Sequence, residues 1–493
     1  MTFKSNYADI QCEPGIFAQR ISLTRWHRDP SNATIWSWLF ELTPGRDSAA
    51  GRDRAAVINA SQGERISFTR LKTYAEELST TLVRELDFKE GDVALLLSPN
   101  SVWYPVTMHA IVRIGGLVGG TSPSSTAEEI ESILQTSKAK FIFVAPECLQ
   151  AATKAAEGAS IPSERIILLD SDQNQNSSVL RHISVQQMIR RAQDNRRSAG
   201  VAPAFEIPAG KTNHQVCGFL SYTSGTTGNP KACMISHGNI IAQCLQMASV
   251  TAPDTDKVQA VLPLYHMKEL ILVPPLLVRL VSDPIVNKFD LSHVRRLSSG
   301  SAPLTPEFLQ LLQQKFPQTG FKQGYGMTET CSCLTVHDPT HYDWKYSHTV
   351  GTILPNTELK FVDNKGKEGD EGEILAKGPQ CAMGYLGNPQ ATAELFEEDG
   401  WLRTGDVGKM LPGGLLMITG RTKDIIKVKG VGVSPTELEE LLLRHPSVRD
   451  VAVIGQPDSY AGQRPHAFVV LKSGHAPSKT LSDELIKLVQ DNK

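Results

Sequence analysis

The chain has 493 residues, 40% of them hydrophobic and 21% charged, so it can bury large cores and lacks the composition of a disordered or collagen-like protein. At roughly 100–200 residues per domain, this length accommodates two to four domains or subdomains. The 50 Lys and Arg against 52 Asp and Glu give a formal net charge of −2. Because this balance lacks the positive excess that binding to a phosphate backbone needs, nucleic acid is excluded as an expected partner.

No segment of the sequence has the pattern of a membrane span or a secretory signal. Two Pro and an Arg interrupt the apolar stretch 270–281, well short of the roughly 18 apolar residues of a span, and the first 13 residues mix charges without an apolar segment. Eight scattered Cys favour a reducing compartment over a disulfide framework. We expect a soluble, cytoplasmic protein with no membrane span; a peroxisomal location is the alternative if a C-terminal signal has been lost.

Helical and strand patterns alternate through the first part of the chain. In chain order they predict a helix at 69–86, a buried strand at 92–97, a helix at 103–114, a glycine-rich turn at 115–120, a helix at 127–136 and a strand at 140–144. Such alternation is typical of a parallel sheet that is covered by helices on both faces.

The pattern changes from about residue 357, where two β-type runs flank an Asn-Lys-Gly turn and predict a small antiparallel subdomain. Beyond residue 420 the patterns predict a helix at 435–444, strands at 450–454 and 467–471, and a helix at 481–489. The expected fold is α/β. A large N-terminal domain, 1–419, holds two doubly wound α/β subdomains and a β-rich subdomain at about 350–419, and a mobile, truncated α+β domain covers 420–493.

The segment YTSGTTGNPK at 222–231 is the most informative motif. It follows an apolar, strand-like run, and its Gly and hydroxylated residues allow successive N–H and hydroxyl groups to point toward one anion, while the Lys adds positive charge. The residues predicted to hold nucleotide phosphates are Thr223, Ser224, Gly225, Thr226, Thr227, Gly228 and Lys231. A flexible linker is the alternative, which the preceding strand disfavours. The spacing is not that of the Gly-x-x-x-x-Gly-Lys-Ser/Thr loop.

Four further motifs follow this loop in order: SGSAPL at 299–304, QGYGMTET at 323–330, GWLRTGDVG at 400–408 and GRTKDIIKVKGVGVSPTELE at 420–439. With this series the chain resembles the adenylate-forming superfamily over nearly its whole length, and within it the 4-coumarate-CoA-ligase-like acyl-CoA synthetases. The resemblance implies that ATP activates a small-molecule carboxylic acid as an acyl adenylate and that CoA then forms a thioester. ATP, Mg²⁺ and CoA are the implied cofactors, and a carrier protein is a possible partner.

The resemblance also implies which residues contact the nucleotide. Tyr325 would face the adenine, Thr328 the α-phosphate and Glu329 the Mg²⁺ ion, and the last two are implied catalytic residues. Asp406 would accept hydrogen bonds from the ribose hydroxyls, with Arg421 beside it. The implied contacts outside the loop are Gly300, Ser301, Ala302, Gln323, Gly324, Tyr325, Gly326, Met327, Thr328, Asp406 and Arg421. Taken alone, these motifs have plainer interpretations, a capped helix entry and a turn aspartate.

Other residues are assigned by the resemblance to the acid and to CoA. His266, in LPLYH, would orient the substrate carboxylate as a catalytic residue. The implied pocket residues are His237, His266, Ser299 and Gly324. Lys423 would be the hinge between the domains, Lys427 a catalytic residue of thioester formation, and Gly430 a CoA contact. The alternatives are a structural histidine and solvated surface lysines.

Two departures from the family pattern affect the expected activity. Met267 is followed directly by Lys268 and Glu269, so a helix and strand that would form part of the acyl pocket are expected to be missing. The chain ends at LSDELIKLVQDNK, before the closing Pro-Lys-x-x-x-Gly-Lys segment whose second Lys bridges the carboxylate and the α-phosphate. Loss of that donor would lower the adenylation rate by a factor on the order of 10²–10³.

Three functions therefore stay open. The first is an acyl-CoA ligase, an AMP-forming acid-thiol ligase whose activity the two departures would impair. The second is a stand-alone adenylation unit that loads a carrier protein. The third is a degenerate nucleotide-binding protein without catalysis, which both departures favour. The sequence does not determine whether the acid is aromatic or fatty.

Overall fold

The structure, a computed structural model, describes residues 16–19, 30–42, 55–59, 63–170, 182–223, 230–252, 269–302, 304–363, 365–424, 426–428, 431–433, 435–458 and 460–492. The strands in these ranges are β1 (Ile16–Gln19), β2 (Ala55–Ile58), β3 (Arg65–Ser67), β4 (Val93–Leu97), β5 (Leu117–Thr121), β6 (Phe141–Val144), β7 (Ile166–Leu168), β8 (Cys217–Thr223), β9 (Lys231–Ser236), β10 (Glu269–Ile271), β11 (Arg296–Ser299), β12 (Gly320–Tyr325), β13 (Thr335–Val336), β14 (Thr352–Ile353), β15 (Thr357–Val362), β16 (Glu368–Gly369), β17 (Glu371–Lys377), β18 (Gly384–Tyr385), β19 (Leu402–Leu411), β20 (Leu415–Arg421), β21 (Ile426–Val428), β22 (Val431–Val433), β23 (Val448–Asp458) and β24 (Gly462–Leu471).

The helices in the same ranges are α1 (Ile35–Ser37), α2 (Phe68–Glu85), α3 (Trp103–Arg113), α4 (Ala127–Ser137), α5 (Leu149–Gly158), α6 (Val185–Ala199), α7 (His237–Val250), α8 (Pro274–Ser282), α9 (Pro306–Lys315), α10 (Pro389–Leu395), α11 (Pro435–Leu443) and α12 (Lys479–Asn492). Several begin at a hydroxyl that caps the first turn: Ser67 for α2, Thr126 for α4 and Ser236 for α7. Within the described residues, no helix is both long and apolar enough to cross a bilayer.

The first sheet has the strand order β18-β9-β8-β5-β4-β6-β7 over the described residues. Strands β8, β5, β4, β6 and β7 run parallel, whereas β9 and β18 are antiparallel additions at one edge. Alternate residues of β4 pack into two separate apolar cores, Leu96 with α2 and α3, and Leu95 with α4 and α5. Helices thus cover both faces, which confirms the doubly wound arrangement that the alternating pattern predicts.

One expectation for this sheet is wrong. Of the predicted turn at 115–120, only Gly115 lies in a turn, and Leu117–Thr121 is the strand β5 between β4 and β8. A Cβ on Gly119 would lie 2.9 Å from the hydroxyl of Tyr222, and one on Gly120 would lie 2.9 Å from the hydroxyl of Tyr104. The glycines are therefore needed because tyrosines from neighbouring elements approach the strand closely.

The second sheet joins the α/β and β-rich parts of the chain. Its order over the described residues is β1-β15-β17-β19-β20-β14-β13-β12-β11-β10, with β16 on β15. Strands β10, β11 and β12 are parallel, and Leu270, Leu297 and Phe321 on one face of them pack against α8 and α9. From β12 onward the pairing becomes antiparallel. The β-rich subdomain is thus a continuation of the second sheet, and the candidate site lies where the pairing changes.

The C-terminal part has a sheet of its own, in the order β22-β21-β24-β23. Its core includes Ile426 and Val453 from the strands, Leu438 and Leu442 from α11, and Leu485 from α12. This confirms the α+β pattern, although the hairpin strands, Val448–Asp458 and Gly462–Leu471, are longer than predicted. The exact boundary at 419/420 stays a prediction.

Substituting Gly351 by alanine should strongly destabilise the junction of the second sheet. Gly351 has a φ of +90°, and an added Cβ would lie 2.0 Å from the carbonyl carbon of Val336. We expect Gly351→Ala to lower stability by about 2–5 kcal/mol, the sum of left-handed strain and the clash. Gly413 is the matched control, because its φ is +89° but nothing lies within 4 Å, so Gly413→Ala should cost only about 1–2 kcal/mol. Equal urea midpoints for the two variants would contradict the expected clash.

Candidate functional site

The predicted phosphate loop is the connection between two paired strands. β8 and β9 run antiparallel, and Thr223 at the end of β8 is in register with Lys231 at the start of β9. Residues 224–229, which include Ser224, Gly225, Thr226, Thr227 and Gly228, lie outside the described residues. The described ends of the loop are therefore held in a hairpin at the edge of the first sheet.

Glu329 lies beside the base of this hairpin, where it is bonded to a tyrosine that the sequence motifs left without a role. The hydroxyl of Tyr385 donates to Glu329 Oε1 at 2.5 Å, and the Lys231 Nζ lies 5.2 Å from the centroid of the same ring. Burial, together with the neighbouring carboxylate, raises the pKa of Tyr385 far above its usual value, so the phenol remains a donor. Tyr385 lies in the segment MGYLGNPQAT at 383–392, where the motifs predicted no site residue.

Asp406, Tyr325 and Arg421 form a second cluster. The Tyr325 hydroxyl donates to Asp406 Oδ2 at 2.8 Å, and Arg421 Nε donates to Asp406 Oδ1 at 3.0 Å. Asp406 is only 7% exposed, and it faces Arg421 across the antiparallel pair β19 and β20. Burial and the Asp406 charge raise the pKa of Tyr325 well above its usual value. The sequence-predicted ribose and adenine residues thus lie together, and each carboxylate oxygen retains acceptor capacity for a ligand.

The motif 323–330 connects these two clusters. β12 ends at Tyr325, and a short 3₁₀ helix, Thr328–Thr330, then places Glu329 in a buried position. Gly326 is required between them, because an added Cβ would lie 1.8 Å from the carbonyl oxygen of Ser332. Met327, the N-cap of the 3₁₀ helix, donates its N–H to Thr330 Oγ1 at 3.0 Å. The tight turn therefore places Tyr325, which is bonded to Asp406, and the carboxylate of Glu329 within one segment.

The other predicted nucleotide contacts lie at the ends of β11 and β12. A Cβ on Gly300 would be 3.3 Å from the Gly324 carbonyl oxygen, and Ser301 and Ala302 are exposed just beyond β11. Gln323 differs from the expectation, since its amide Nε2 donates to the carbonyl oxygens of Ser347 and Thr349 at 2.5 and 3.1 Å. The Gln323 amide nitrogen is thus engaged in holding β12, and its backbone N–H and carbonyl are both bonded to His337.

Glu329 is compatible with a magnesium ion that is shared with a nucleotide. Its buried carboxylate is a hard oxygen ligand, and one of its oxygens is oriented by the Tyr385 phenol. Across the ranges that the structure describes, no three His, Cys, Asp or Glu side chains gather into a site that would hold a metal by themselves. A Mg²⁺ ion at Glu329 would therefore take further ligands from phosphate oxygens and water.

Three of the four predicted substrate-pocket residues, His237, Ser299 and Gly324, lie in the described part of the chain. His266, together with Met267 and Lys268, lies outside the described residues. Ser299 ends β11 with a hydroxyl that is fully buried and has no hydrogen-bond partner in the described part of the chain. A Cβ added to Gly324 would lie 3.4 Å from Cys333 Sγ, so Gly324 is in ordinary packing contact with that side chain. Ser299 is therefore the described pocket candidate with an unused polar group.

The structure gives His237 a packing role, and its predicted role in the substrate pocket stays a prediction. It is 1% exposed at the start of α7, its Nδ1 accepts the backbone N–H of Ile35 at 3.2 Å, and its ring stacks on Phe205. Burial lowers its pKa to about 4. A neutral, buried imidazole with these partners belongs to the core of the first subdomain.

The low pKa of His237 predicts a loss of stability in acid. The unfolded histidine titrates near pH 6.5, so between pH 6.5 and about 4 the unfolded state binds more protons and stability falls as the pH falls. We expect this histidine to contribute a loss of about 2 kcal/mol between pH 7.5 and pH 5. His237→Asn retains an acceptor for Ile35 but does not titrate, so it should lose less stability over this range. The exposed His475→Asn is the control in the same urea titrations, and identical pH slopes for the two variants would contradict the prediction.

The predicted residues of the C-terminal motif are on the surface where they are described. Lys423 is exposed in the turn after β20, and Lys427 is an exposed residue of β21 whose backbone N–H donates to Gln463 Oε1 at 2.8 Å. Gly430 lies outside the described residues. The hinge, thioester and CoA roles stay predictions.

Comparison with known proteins assigns the chain to a family. The model of the AMP-binding enzyme family matches residues 46–273 and 268–386, and that of the AMP-binding enzyme C-terminal domain matches 437–492. The chain belongs to the AMP-binding enzyme family. This confirms the resemblance on which the motif assignments rest. The two N-terminal matches meet at 268–273, beside the junction where a block was expected to be missing.

Relatives within the AMP-binding enzymes cover most of this chain. It is 31% identical to 4-coumarate–CoA ligase 1 of Petroselinum crispum, over 88% of this chain and 84% of the relative. It is also 31% identical to the peroxisomal OPC-8:0-CoA ligase 1 of Arabidopsis thaliana, over 92% of this chain and 88% of the relative. The crystal structure of ATP-bound MatB from Rhodopseudomonas palustris superposes with a TM-score of 0.74 at 26% identity, covering 94% of this chain and 92% of that one.

Proposed function

We propose that the protein is an AMP-forming ligase that activates a carboxylic acid with ATP and transfers the acyl group to CoA. The observation that carries this proposal is the arrangement of two buried carboxylates at the turn 325–329. Asp406 accepts a hydrogen bond from Tyr325 at the start of the turn, Glu329 lies at its end, and Lys231 contacts the ring of the tyrosine that bonds Glu329. This arrangement suits a nucleoside triphosphate, because one carboxylate can bind a ribose and the other a phosphate-bound metal. The CoA ligases among the relatives support the same activity.

The nucleotide would bind along the ends of β8, β9 and β12. Asp406 would accept hydrogen bonds from the ribose hydroxyls, with Arg421 keeping its carboxylate oriented. Lys231 and the loop that begins at Thr223 would neutralise the β- and γ-phosphates, and the hydroxyl of Thr328 would donate to the α-phosphate. Bound at Glu329, Mg²⁺ would offset negative charge on the phosphates.

The reaction proceeds in two displacements. A carboxylate oxygen of the acid attacks the α-phosphorus, the bond to the β-phosphate oxygen breaks, and pyrophosphate leaves with the electron pair. Two anions repel as they approach, so cationic and hydrogen-bonding groups are needed there, and we assign this role to Thr328 and to the predicted His266. The unused hydroxyl of Ser299 is a candidate to orient the acid.

The second displacement uses the C-terminal part of the chain. The CoA thiolate attacks the acyl carbon of the adenylate, and AMP leaves with the electron pair of the carbon–oxygen bond. We assign Lys427 and Gly430 to this step and Lys423 to the movement that exchanges the two steps. The exposure of Lys423 and Lys427 supports these assignments, because neither lysine is buried in the C-terminal core.

A product assay with a panel of acids tests the proposal. The full chain is incubated with ATP, Mg²⁺, CoA and single acids, including 4-coumarate, other aromatic acids and fatty acids of several lengths, and AMP and acyl-CoA are measured by mass spectrometry. We expect AMP and acyl-CoA in equal amounts with at least one acid, and acid-dependent ATP–pyrophosphate exchange when CoA is omitted. No exchange and no AMP with any acid would reject the ligase.

A second candidate is a nucleotide-binding protein that does not turn over. It is favoured by the block that the family pattern has after the position of Met267 and that this sequence lacks. The two matches to the family model overlap at 268–273, directly after this position. This candidate predicts ATP binding in calorimetry without pyrophosphate exchange. Transfer of the acyl group to a carrier protein but not to CoA would instead support a stand-alone adenylation unit. The cytoplasmic and peroxisomal locations both stay predictions.

A further inference from the structure

Tyr385 lies between Lys231 and Glu329, the two residues that we propose act on the nucleotide phosphates and their metal ion. β18 pairs with β9, which places Tyr385 opposite Cys233, two residues from Lys231. The backbone N–H of Tyr385 donates to Thr392 Oγ1 at 2.9 Å, and Leu386 donates its N–H to the Ala232 carbonyl oxygen at 2.8 Å. The phenol is thus held by backbone pairing on one side and by α10 on the other.

Two separate contacts leave this ring. Its hydroxyl bonds Glu329 Oε1, and its face lies under the ammonium of Lys231, 5.2 Å from the ring centroid. The backbone on either side of the contact is joined as well, because Ala382 donates its N–H to the Glu329 carbonyl oxygen at 2.8 Å. A carboxylate with one oxygen fixed in this way has a defined orientation for its remaining lone pairs.

We propose that Tyr385 is a positioning residue that orients Glu329 for a phosphate-bound divalent cation and, through its ring, supports Lys231. This inference rests on the proposed function, because it assumes that a nucleotide binds between Lys231 and Glu329. The two contacts are separable: the hydroxyl acts on Glu329, and the ring acts on Lys231. A hydrogen bond that orients a metal-binding carboxylate commonly changes metal affinity by about 10–100-fold when it is lost.

The test is calorimetric titration of the full chain with ATP, first in EDTA and then at increasing Mg²⁺, which requires no turnover. In Tyr385→Phe the ring remains and the hydroxyl is lost, so ATP affinity in EDTA should stay within about twofold of wild type. The gain in affinity that Mg²⁺ provides should fall about 10–100-fold. Tyr385→Leu also removes the ring, and it should weaken ATP binding in EDTA by about 2–5-fold. Tyr74→Phe, at a half-buried tyrosine of α2, is the control.

A double-mutant cycle separates positioning from a merely structural role. If Tyr385 acts through Glu329, adding Tyr385→Phe to Glu329→Gln should change the Mg²⁺ response by less than about twofold. Thr392→Val removes the hydroxyl that holds the Tyr385 backbone and leaves Glu329 intact, so it should show a smaller loss of the same kind if Tyr385→Phe fails to fold. An unchanged Mg²⁺ gain in Tyr385→Phe, or an equal loss in the Glu329→Gln background, would overturn the inference.

The outcomes also separate this inference from the proposed function. Mg²⁺-dependent ATP binding that Tyr385→Phe weakens, without pyrophosphate exchange in wild type, would support the positioning role and reject the ligase. Exchange in wild type with an unaffected Tyr385→Phe variant would reject the positioning role alone. If wild type shows no Mg²⁺-dependent ATP binding, both are rejected.

Discussion

Glu329→Gln should lower the rate of acid-dependent ATP–pyrophosphate exchange by a factor on the order of 10²–10³. The substitution removes the negative charge that would bind the phosphate-bound Mg²⁺, yet the glutamine Oε1 can still accept the hydrogen bond from Tyr385, so the buried site keeps its packing. The expected signature is a lower kcat/KM for MgATP. In the variant, kcat/KM should also rise less steeply with Mg²⁺ concentration than in wild type. Initial rates of exchange across a range of Mg²⁺ concentrations measure it.

The matched control for this variant is Glu371→Gln, at an exposed glutamate of β17. It makes the same chemical change outside the site and should leave exchange within about twofold of wild type, as surface substitutions usually do. If Glu329→Gln retained wild-type exchange and wild-type Mg²⁺ dependence, Glu329 would have no role in the metal-bound nucleotide. Its hydrogen bond to Tyr385 would then serve only to satisfy a buried carboxylate.

Asp406→Asn should raise the KM for ATP by about 10–100-fold while changing kcat much less. A hydrogen bond to a charged acceptor is worth about 1.5–3 kcal/mol, and about 1.4 kcal/mol corresponds to a tenfold change. The variant keeps the shape of the side chain but loses the charge that Arg421 contacts at 3.0 Å and that the ribose hydroxyls would use. A loss confined to KM is expected because the ribose lies away from the reacting phosphorus.

A deoxynucleotide makes this second prediction specific. Wild type should discriminate between ATP and 2′-deoxy-ATP, and Asp406→Asn should discriminate less, because the carboxylate that reads the hydroxyl has gone. Asp370→Asn, at an exposed aspartate, is the control. An unchanged ratio of ATP to 2′-deoxy-ATP affinities in Asp406→Asn would show that Asp406 does not contact the ribose.

The two carboxylates illustrate what motifs can and cannot predict. The family resemblance carried by the ordered motifs assigned roles to Glu329 and Asp406, whereas each motif alone is equally typical of a capped helix entry or a turn. The partners that orient these carboxylates lie 56 and 81 residues away, at Tyr385 and Tyr325 respectively. Such partners depend on strand register in two different sheets, which no local pattern specifies.

The same limit applies to contacts that the sequence did not predict. The position of His237 at a helix start is compatible with a pocket residue, and only the structure shows its packing against Ile35 and Phe205. The glycine-rich sequence of β5 is typical of a turn. Only the structure shows that Tyr104 and Tyr222 approach this strand so closely that it needs glycines. Gln323 lies in the nucleotide motif, but its amide is used by the backbone at 347 and 349.

The sequence by itself determined the family, the α/β alternation and the groups that carry the expected chemistry, because periodicity and short motifs are properties of neighbouring residues. The tertiary structure decided which groups meet. It joined the β-rich strands to the second sheet, placed Tyr385 between Lys231 and Glu329, and buried His237 in the core. These outcomes depend on register and close packing between segments that are far apart in the chain, and such contacts form only when the whole domain folds.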